Sequence, residues 1–298
     1  MKKKILILGA TGMLGHVLFE WLSQKNEYDV YATARSLQGL ADRFPPSLKD
    51  KIRSEVDADN FDTIIRSLAS VQPHVVINCI GLIKQIPISN DPLTAISINA
   101  RLPHLISMIC RTAKARMIHV STDCVFNGQQ GMYRESDLSN AEDLYGRTKF
   151  LGEVNYPHCV TLRTSIIGHE LKGKYGLIEW FLSQQNKTKG YVNAIYSGFP
   201  TVELARIISD YVLPDSELSG TYHVASKPIS KYDLLKLVAQ KYGKKIELEP
   251  FADFRQDRSL DPSNFCTKSG YVAPTWEELV SLMHDHYVRH RGDFYANI

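Results

Sequence analysis

The stretch KILILGATGMLGHVLFEWLSQK, residues 4–25, decides the fold. It opens on an unbroken apolar run over 4–9, the pattern of a strand buried on both faces. Residues 13–25 then carry apolar side chains at helical spacing. Between the two, glycines stand at 9, 12 and 15. Gly9 permits a tight turn, and Gly12 lets backbone N–H groups approach a pyrophosphate at the positive end of the helix. Gly15 allows the helix to pack close to the strand. A strand, a glycine turn and a helix in this order form a dinucleotide-binding unit. Thr11, Met13 and Leu14 lie in the same turn and are expected to touch the cofactor.

Outward from this unit the chain keeps alternating. Residues 29–34, 51–56 (weaker), 74–81, 116–123 and 159–165 read as strands, and 60–71, 91–114 and 141–156 as helices. Asp91 is the expected N-cap of the second of these, with Pro92 at its first position. Such alternation implies an α/β protein with a doubly wound parallel sheet. After Gly168 the pattern is less regular and more aromatic. Helices are expected near 176–186, 201–213, 230–242 and 275–288, with a strand at 221–225. The simplest division is a cofactor domain over 1–168, rejoined by about 196–225. A smaller interwoven lobe of 169–195 and 226–298 would then grip the substrate.

Composition bounds the function. The chain has 298 residues, 44% hydrophobic and 22% charged, as in ordinary globular proteins. A net charge of +3 suits an anionic small molecule and gives no footprint for nucleic acid. Cys79, Cys110, Cys124, Cys159 and Cys266 are odd in number and include no Cys-x-x-Cys pair, so a reducing, cytoplasmic setting is expected. No cleavable leader and no membrane-crossing helix are expected, and a homodimer is allowed. His286 and His290, four apart with His284 nearby, lack the further ligands of a metal site and read as a surface cluster.

At the end of the second strand stand Arg35 and Ser36 and no acid. An acid there would hold the ribose hydroxyls of NAD, whereas a cation suits a 2′-phosphate. NADP(H) is therefore favoured over NAD(H). Asp57 and Ala58, after the third strand, are placed to meet the adenine, unless Asp57 caps a helix instead. Cys79, Ile80 and Gly81 after the fourth strand, and Ser121 near the end of the fifth, complete the expected cofactor site.

The segment DLYGRTK, residues 143–149, puts Tyr145 four residues before Lys149 and so on one helical face. Tyr232 and Lys236 repeat the spacing, but there Leu234, Leu235 and Val238 mark an ordinary amphipathic helix. The first pair differs in context, because the strand at 116–123 ends in Ser121, Thr122 and Asp123 about two dozen residues upstream. Ligands bind at the carboxyl ends of strands in such sheets. A strand-end hydroxyl and a tyrosine can both hold a carbonyl oxygen while a hydride arrives and Tyr145 delivers the proton. Lys149 would hold the nicotinamide ribose and lower the phenol's pKa. Asn99 lies four residues before Pro103, so its carbonyl loses a helical partner and could hold a water on a proton path to Lys149. Asp123, Val125, Ser165, Lys84, Trp180 and Arg258 are the expected substrate contacts. A diphosphate would meet Lys84 or Arg258, and a base would stack on Trp180.

Together GATGMLG, INARLPH, STDCVFNG, YGRTK, LRTSIIG, GFPTVELA and GTYHVAS resemble the extended short-chain dehydrogenase/reductase superfamily, and within it the dTDP-4-dehydrorhamnose reductase family. The resemblance covers nearly the whole chain and is firmest over 1–168. It implies a Rossmann-type cofactor domain and reduction of a nucleotide-linked 4-keto-6-deoxy sugar at C4 by NADPH, for surface polysaccharide synthesis. It also implies Thr122, Tyr145 and Lys149 as the catalytic triad. Cys124 stands where the family usually has tyrosine, and NCIGLIKQ replaces an Asn-Ala-Ala-Ala run. These departures leave a UDP-linked 2-acetamido-4-keto sugar as open as a dTDP-linked one.

Three rival readings remain. A 4,6-dehydratase would carry glutamate where Cys124 stands. An epimerase–reductase would shuttle protons on a cysteine and a histidine, for which Cys124 and His169 are the candidates. A regulatory subunit would bind NADP without turnover, against the retention of Thr122, Tyr145 and Lys149.

Overall fold

The computed structural model describes residues 2–84 and 87–295. In chain order, the first part runs β1 (Lys3–Leu8), α1 (Met13–Ser23), β2 (Tyr28–Thr33), α2 (Pro46–Lys49), β3 (Ile52–Arg53), α3 (Phe61–Val71) and β4 (Val75–Asn78). It continues with α4 (Pro92–Ala95), a π-helical segment (Ile96–Arg101), α5 (Leu102–Thr112), β5 (Arg116–Thr122), α6 (Leu144–Leu151) and β6 (Cys159–Thr164). The second part comprises β7 (Ile166–Ile167), α7 (Leu177–Ser183), β8 (Lys187–Tyr196), β9 (Phe199–Pro200), α8 (Thr201–Ile207) and β10 (Gly220–His223). It ends with β11 (Ile229–Ser230), α9 (Lys231–Lys241), β12 (Glu247–Asp257), α10 (Ser263–Ser269) and α11 (Trp276–Tyr295).

The main sheet has seven strands in the order β10-β6-β5-β4-β1-β2-β3, all parallel. The chain winds from β1 out to β3, then crosses back to β4 on the other side of β1. That reversal opens a crevice at the carboxyl ends of β1 and β4. The expected α/β, Rossmann-type architecture is thus the observed one.

Alternation along the strands explains why both faces are apolar. Ile5, Ile7, Val75, Ile77, Ile118 and Val160 face α1 and α8 through Leu18, Leu22 and Leu204, in a core that also holds Leu234, Phe265 and Leu279. One continuous core therefore joins the first and second parts. Leu6, Leu8, Val76 and Met117 face Ile64 and Leu68 of α3 and Leu102 and Ile106 of α5.

The helical run Pro92–Thr112 differs from expectation in two ways. By length and composition it is apolar enough to cross a membrane, although half of it is buried in the fold. It is also not uniform. Asp91 caps it by accepting from Thr94 N at 2.8 Å. A π turn follows in which Leu102 N–H bonds Ser97 O, just before Pro103 removes a donor.

A second, small sheet of order β11-β8-β12 was not legible in the sequence. β12 is half to fully exposed, contains Pro250, and shifts register between Phe251 and Arg255. Its period-2 signal is lost for those reasons. On α9, Leu234, Leu235 and Val238 are buried and Lys236 lies over the Tyr232 ring at 5.3 Å, which makes the second Tyr/Lys pair a helix-surface contact.

Candidate active site

The glycine turn fits a dinucleotide. Gly9 has φ +96° and Ala10 N donates to Thr33 O at 2.7 Å, which joins the turn to β2. A Cβ on Gly15 would overlap the Gly9 carbonyl, so this position is fixed by the crossing of α1 over β1. A Cβ on Gly12 would meet only Gly9 O, at an ordinary 3.5 Å. Packing therefore does not demand glycine at 12, and the missing side chain leaves the backbone of the turn open to the approach of a phosphate. Leu14 is buried in the main core, so its side chain packs inward and only its backbone faces the turn. His16, also buried, bonds back to Gly12 O at 2.8 Å and braces the loop.

Cys79, Ile80 and Gly81 bring the β4 end onto this turn. A Cβ on Gly9 would lie 3.3 Å from Ile80 Cγ1 and 3.4 Å from the Cys79 carbonyl. One on Gly81 would lie 3.5 Å from Asn99 Oδ1 and 3.8 Å from Lys149 Nζ. Gly81 is thus the junction between the cofactor loop and α6. Thr11 and Arg35 share a cleft at the end of β2. Ala58 packs on the second core, and Asp57 Oδ1 accepts from Asp59 N at 3.2 Å in a turn ahead of α3, whose N-cap is Asn60, so Asp57 does not cap that helix.

α6 starts at Leu144, later than expected, because Asp143 caps it by accepting from Gly146 N at 2.7 Å. Lys84 pairs with the same carboxylate at 2.7 Å. Its expected diphosphate partner is thus replaced by the cap, and partial burial of Asp143 is outweighed by Lys84 and the Gly146 N–H, which hold that acid low.

Tyr145 and Lys149 project from α6 onto the end of β5. Thr122 is nearly buried, donates to Asp123 Oδ1 at 3.1 Å and accepts from Cys124 N at 3.1 Å. The Tyr145 phenol lies close enough for this hydroxyl to act on its titration, which brings hydroxyl and phenol together. The expected lowering of the phenol by Lys149 is not found. Burial pushes Tyr145 up, the Cys124 and Asp123 groups push the same way, and only the Thr122 hydroxyl opposes them. The phenol therefore keeps its proton, as a donor must. Lys149 donates to Val120 O at 2.9 Å, and burial brings it down to about 8.

Several expected contacts fall elsewhere. Ser121 points to the opposite face of β5 and donates to Glu153 Oε1 at 2.7 Å, so its hydroxyl is committed within the protein. Glu153 also takes a bidentate Arg163, at 2.8 and 2.7 Å, in a buried network absent from the sequence reading. Val125 is fully buried beside Phe126, Tyr133 and Leu260 and cannot present its side chain to a substrate. Trp180 packs one side against the main core and stays partly exposed. The Asn99 carbonyl lies against Gly152, where a Cβ would overlap it, so the close crossing of α6 takes the place expected for water. The Asn99 side chain does the joining, with Oδ1 accepting from Leu82 N at 2.9 Å.

Arg258 does reach the β5 end. It donates to Phe126 O at 2.8 Å and to Cys124 Sγ at 3.4 Å. Burial raises the neighbouring Asp123, with Arg258 opposing. Ser165 sits at the end of β6, its carbonyl accepting from Phe199 N at 2.9 Å, near the buried Tyr196 hydroxyl. Burial and then Asp123 push the Cys124 thiol up to about 12, which makes it a poor base at neutral pH. His169 uses both ring nitrogens, on Glu179 at 2.7 Å and Tyr242 at 2.8 Å. Both observations weigh against the epimerase–reductase reading. His286 and His290 stack at 4.5 Å, and among the described residues no cluster of three His, Cys, Asp or Glu side chains could hold a metal.

Comparison with known proteins agrees with this fold. The chain is 26% identical over 261 residues to dTDP-4-dehydrorhamnose reductase of Aggregatibacter actinomycetemcomitans, covering 82% of this chain and 83% of that protein. It is 24% identical over 254 residues to methionine adenosyltransferase 2 subunit beta of Bos taurus, covering 81% and 72%. The crystal structure of dTDP-4-dehydrorhamnose reductase from Bacillus anthracis in complex with NADP has the same fold, with TM-score 0.77, 23% identity and 96% and 99% of the two chains covered. Residues 2–288 match the RmlD substrate binding domain family, and the chain belongs to that family.

Proposed function

We propose that this oxidoreductase reduces the C4 keto group of a nucleotide-linked 4-keto-6-deoxy sugar, with NADPH as reductant, in the cytoplasmic synthesis of a surface polysaccharide. The observation that carries the reading is the meeting of Thr122 with Tyr145 at the end of β5, beside Lys149 and the glycine turn. When bound, the dinucleotide supplies the hydride that adds to the carbonyl carbon. Thr122 and Tyr145 hold the carbonyl oxygen, and Tyr145 transfers its proton there as charge develops. Lys149, still largely an ammonium at neutral pH, supports the phenolate that is left. Arg35 without a neighbouring acid supports NADPH over NADH. Arg258, beside Asp123 and Cys124, is the cation best placed to meet a substrate diphosphate.

The similarity to a methionine adenosyltransferase subunit supports a second reading, in which the chain binds NADP as a subunit without turnover. One experiment separates them. Purified protein is mixed with NADPH or NADH and a panel of dTDP- and UDP-linked 4-keto sugars, with Tyr145→Phe as control. Oxidation with one sugar, lost in the variant, supports the reductase. NADPH binding with no oxidation across the panel supports the subunit reading.

A further inference from the structure

The end of β2 and the loop between β7 and α7 face each other across an open cleft of about 690 Å³. Arg35 and Ser36 from the end of β2, Lys172 from the loop ahead of α7 and Thr11 of the glycine turn all line it. No acid lines the cleft, and neither cation has an ion-pair partner among the described residues.

Lys172 does not hang on a loose loop. Its neighbour Leu171 is 4% exposed and belongs to the main core. The next residue back, Glu170, folds the loop on itself by accepting from Tyr175 N at 2.8 Å and Gly176 N at 3.1 Å. Gly173 turns the chain at φ +100°. A Cβ on Gly176 would press on Met13 Cε, so the loop is seated directly on the glycine turn. The fold thus presents two like charges to one cleft beside a dinucleotide turn, an arrangement that an anion between them would relieve.

The geometry points to Lys172 as a second cation for the 2′-phosphate of the adenosine ribose, opposite Arg35, so that this phosphate bridges β2 and the loop ahead of α7. This inference rests on the NADP(H) reading above. The dianionic monoester can take a forked guanidinium from one side and a compact ammonium from the other. Lys172 lies 137 positions after Arg35 in the sequence, and only the placement of its loop on the glycine turn makes the two neighbours.

The test is fluorescence titration of the full chain with NADPH and with NADH, for the parent protein, Arg35→Met, Lys172→Met and Lys172→Arg. Competition by 2′,5′-ADP against 5′-AMP gives a second readout free of the nicotinamide. Lys172→Met should weaken NADPH and 2′,5′-ADP by about three- to tenfold, leave NADH and 5′-AMP unchanged, and reduce the salt dependence of NADPH binding. Lys172→Arg should restore most of the loss. An equal loss for NADPH and NADH would overturn the inference, because Lys172 would then face the shared pyrophosphate or merely shape the loop. No loss for either would also overturn it. If the parent protein binds both dinucleotides equally, the NADP reading itself fails. If the parent prefers NADPH, and Arg35→Met removes that preference while Lys172→Met does not, only the role of Lys172 fails.

Discussion

Lys149 Nζ donates to the Val120 carbonyl at 2.9 Å, so the ammonium itself ties α6 to β5. Burial lowers this lysine to about 8, against the pull of Glu153 and Cys79. Its folded value lies below the ordinary lysine value, so the proton is held fully only below about pH 8 and is lost as pH rises through it. Burial moves Tyr145 the other way, so the phenol stays protonated over the same range. We expect kcat/KM for NADPH-dependent reduction to fall above about pH 8, with Lys149 setting that limb. A profile measured from about pH 6 to 10 checks this. A flat profile across that window would take Lys149 out of the rate-determining protonation.

Tyr145→Phe removes the proton donor and keeps the ring. General-acid contributions run to about 10²–10⁴-fold, and kcat should fall within that range. Because Gly81, at the end of β4, meets Lys149 and not the tyrosine hydroxyl, NADPH affinity should change little. Stopped-flow kinetics with parallel binding titrations would separate the two. A matching loss of affinity would move Tyr145 from chemistry to cofactor binding.

The Glu153–Arg163 pair should carry far more stability than any surface pair. Its side chains are 8% and 6% exposed, and the carboxylate receives Arg163 in bidentate fashion and Ser121 at 2.7 Å. Arg163 in turn reaches His223 Nε2 at 3.3 Å, and burial followed by Arg163 holds that imidazole down near 4, hence neutral. Glu153→Gln would leave a buried guanidinium without its counter-charge, at a cost of about 3–5 kcal/mol. Urea denaturation measures it. Lys84→Ala, by contrast, removes an exposed partner of Asp143 and should cost under about 1 kcal/mol.

The parts of the molecule governed by local pattern were legible in the sequence. The strand of residues 5–8, the glycines at 9, 12 and 15, and the Tyr145/Lys149 spacing each follow from period or turn chemistry over a few residues. What was hidden depends on contacts distant in the chain. Glu153 and Arg163 look like two ordinary surface charges until β5, β6 and α6 enclose them. Ser121 reads as a cofactor hydroxyl until the alternation of β5 turns it toward Glu153. Lys84 reads as a phosphate ligand until the cap of α6 claims it. The tuning of Tyr145 was misjudged for the same reason. Spacing brings Lys149 near on the helix, but the amount of water left around a phenol is set by the whole fold.

Two glycines of one turn should respond in opposite ways to the same added methyl group. At Gly15 a Cβ would overlap the Gly9 carbonyl, so Gly15→Ala must push α1 away from β1 and should cost about 1–3 kcal/mol. At Gly12 the nearest atom would be Gly9 O at 3.5 Å, an ordinary contact, and φ is −77°. Gly12→Ala should therefore fold with stability within about 0.5 kcal/mol of the parent protein. Yet its methyl group would stand where the backbone must approach the pyrophosphate. Affinity for NADPH and NADH should then fall together, since both carry that group. Thermal melts without nucleotide, paired with binding titrations of both dinucleotides, give the two quantities separately. A Gly12→Ala protein that melts normally and binds normally would show that the pyrophosphate does not rest on this turn.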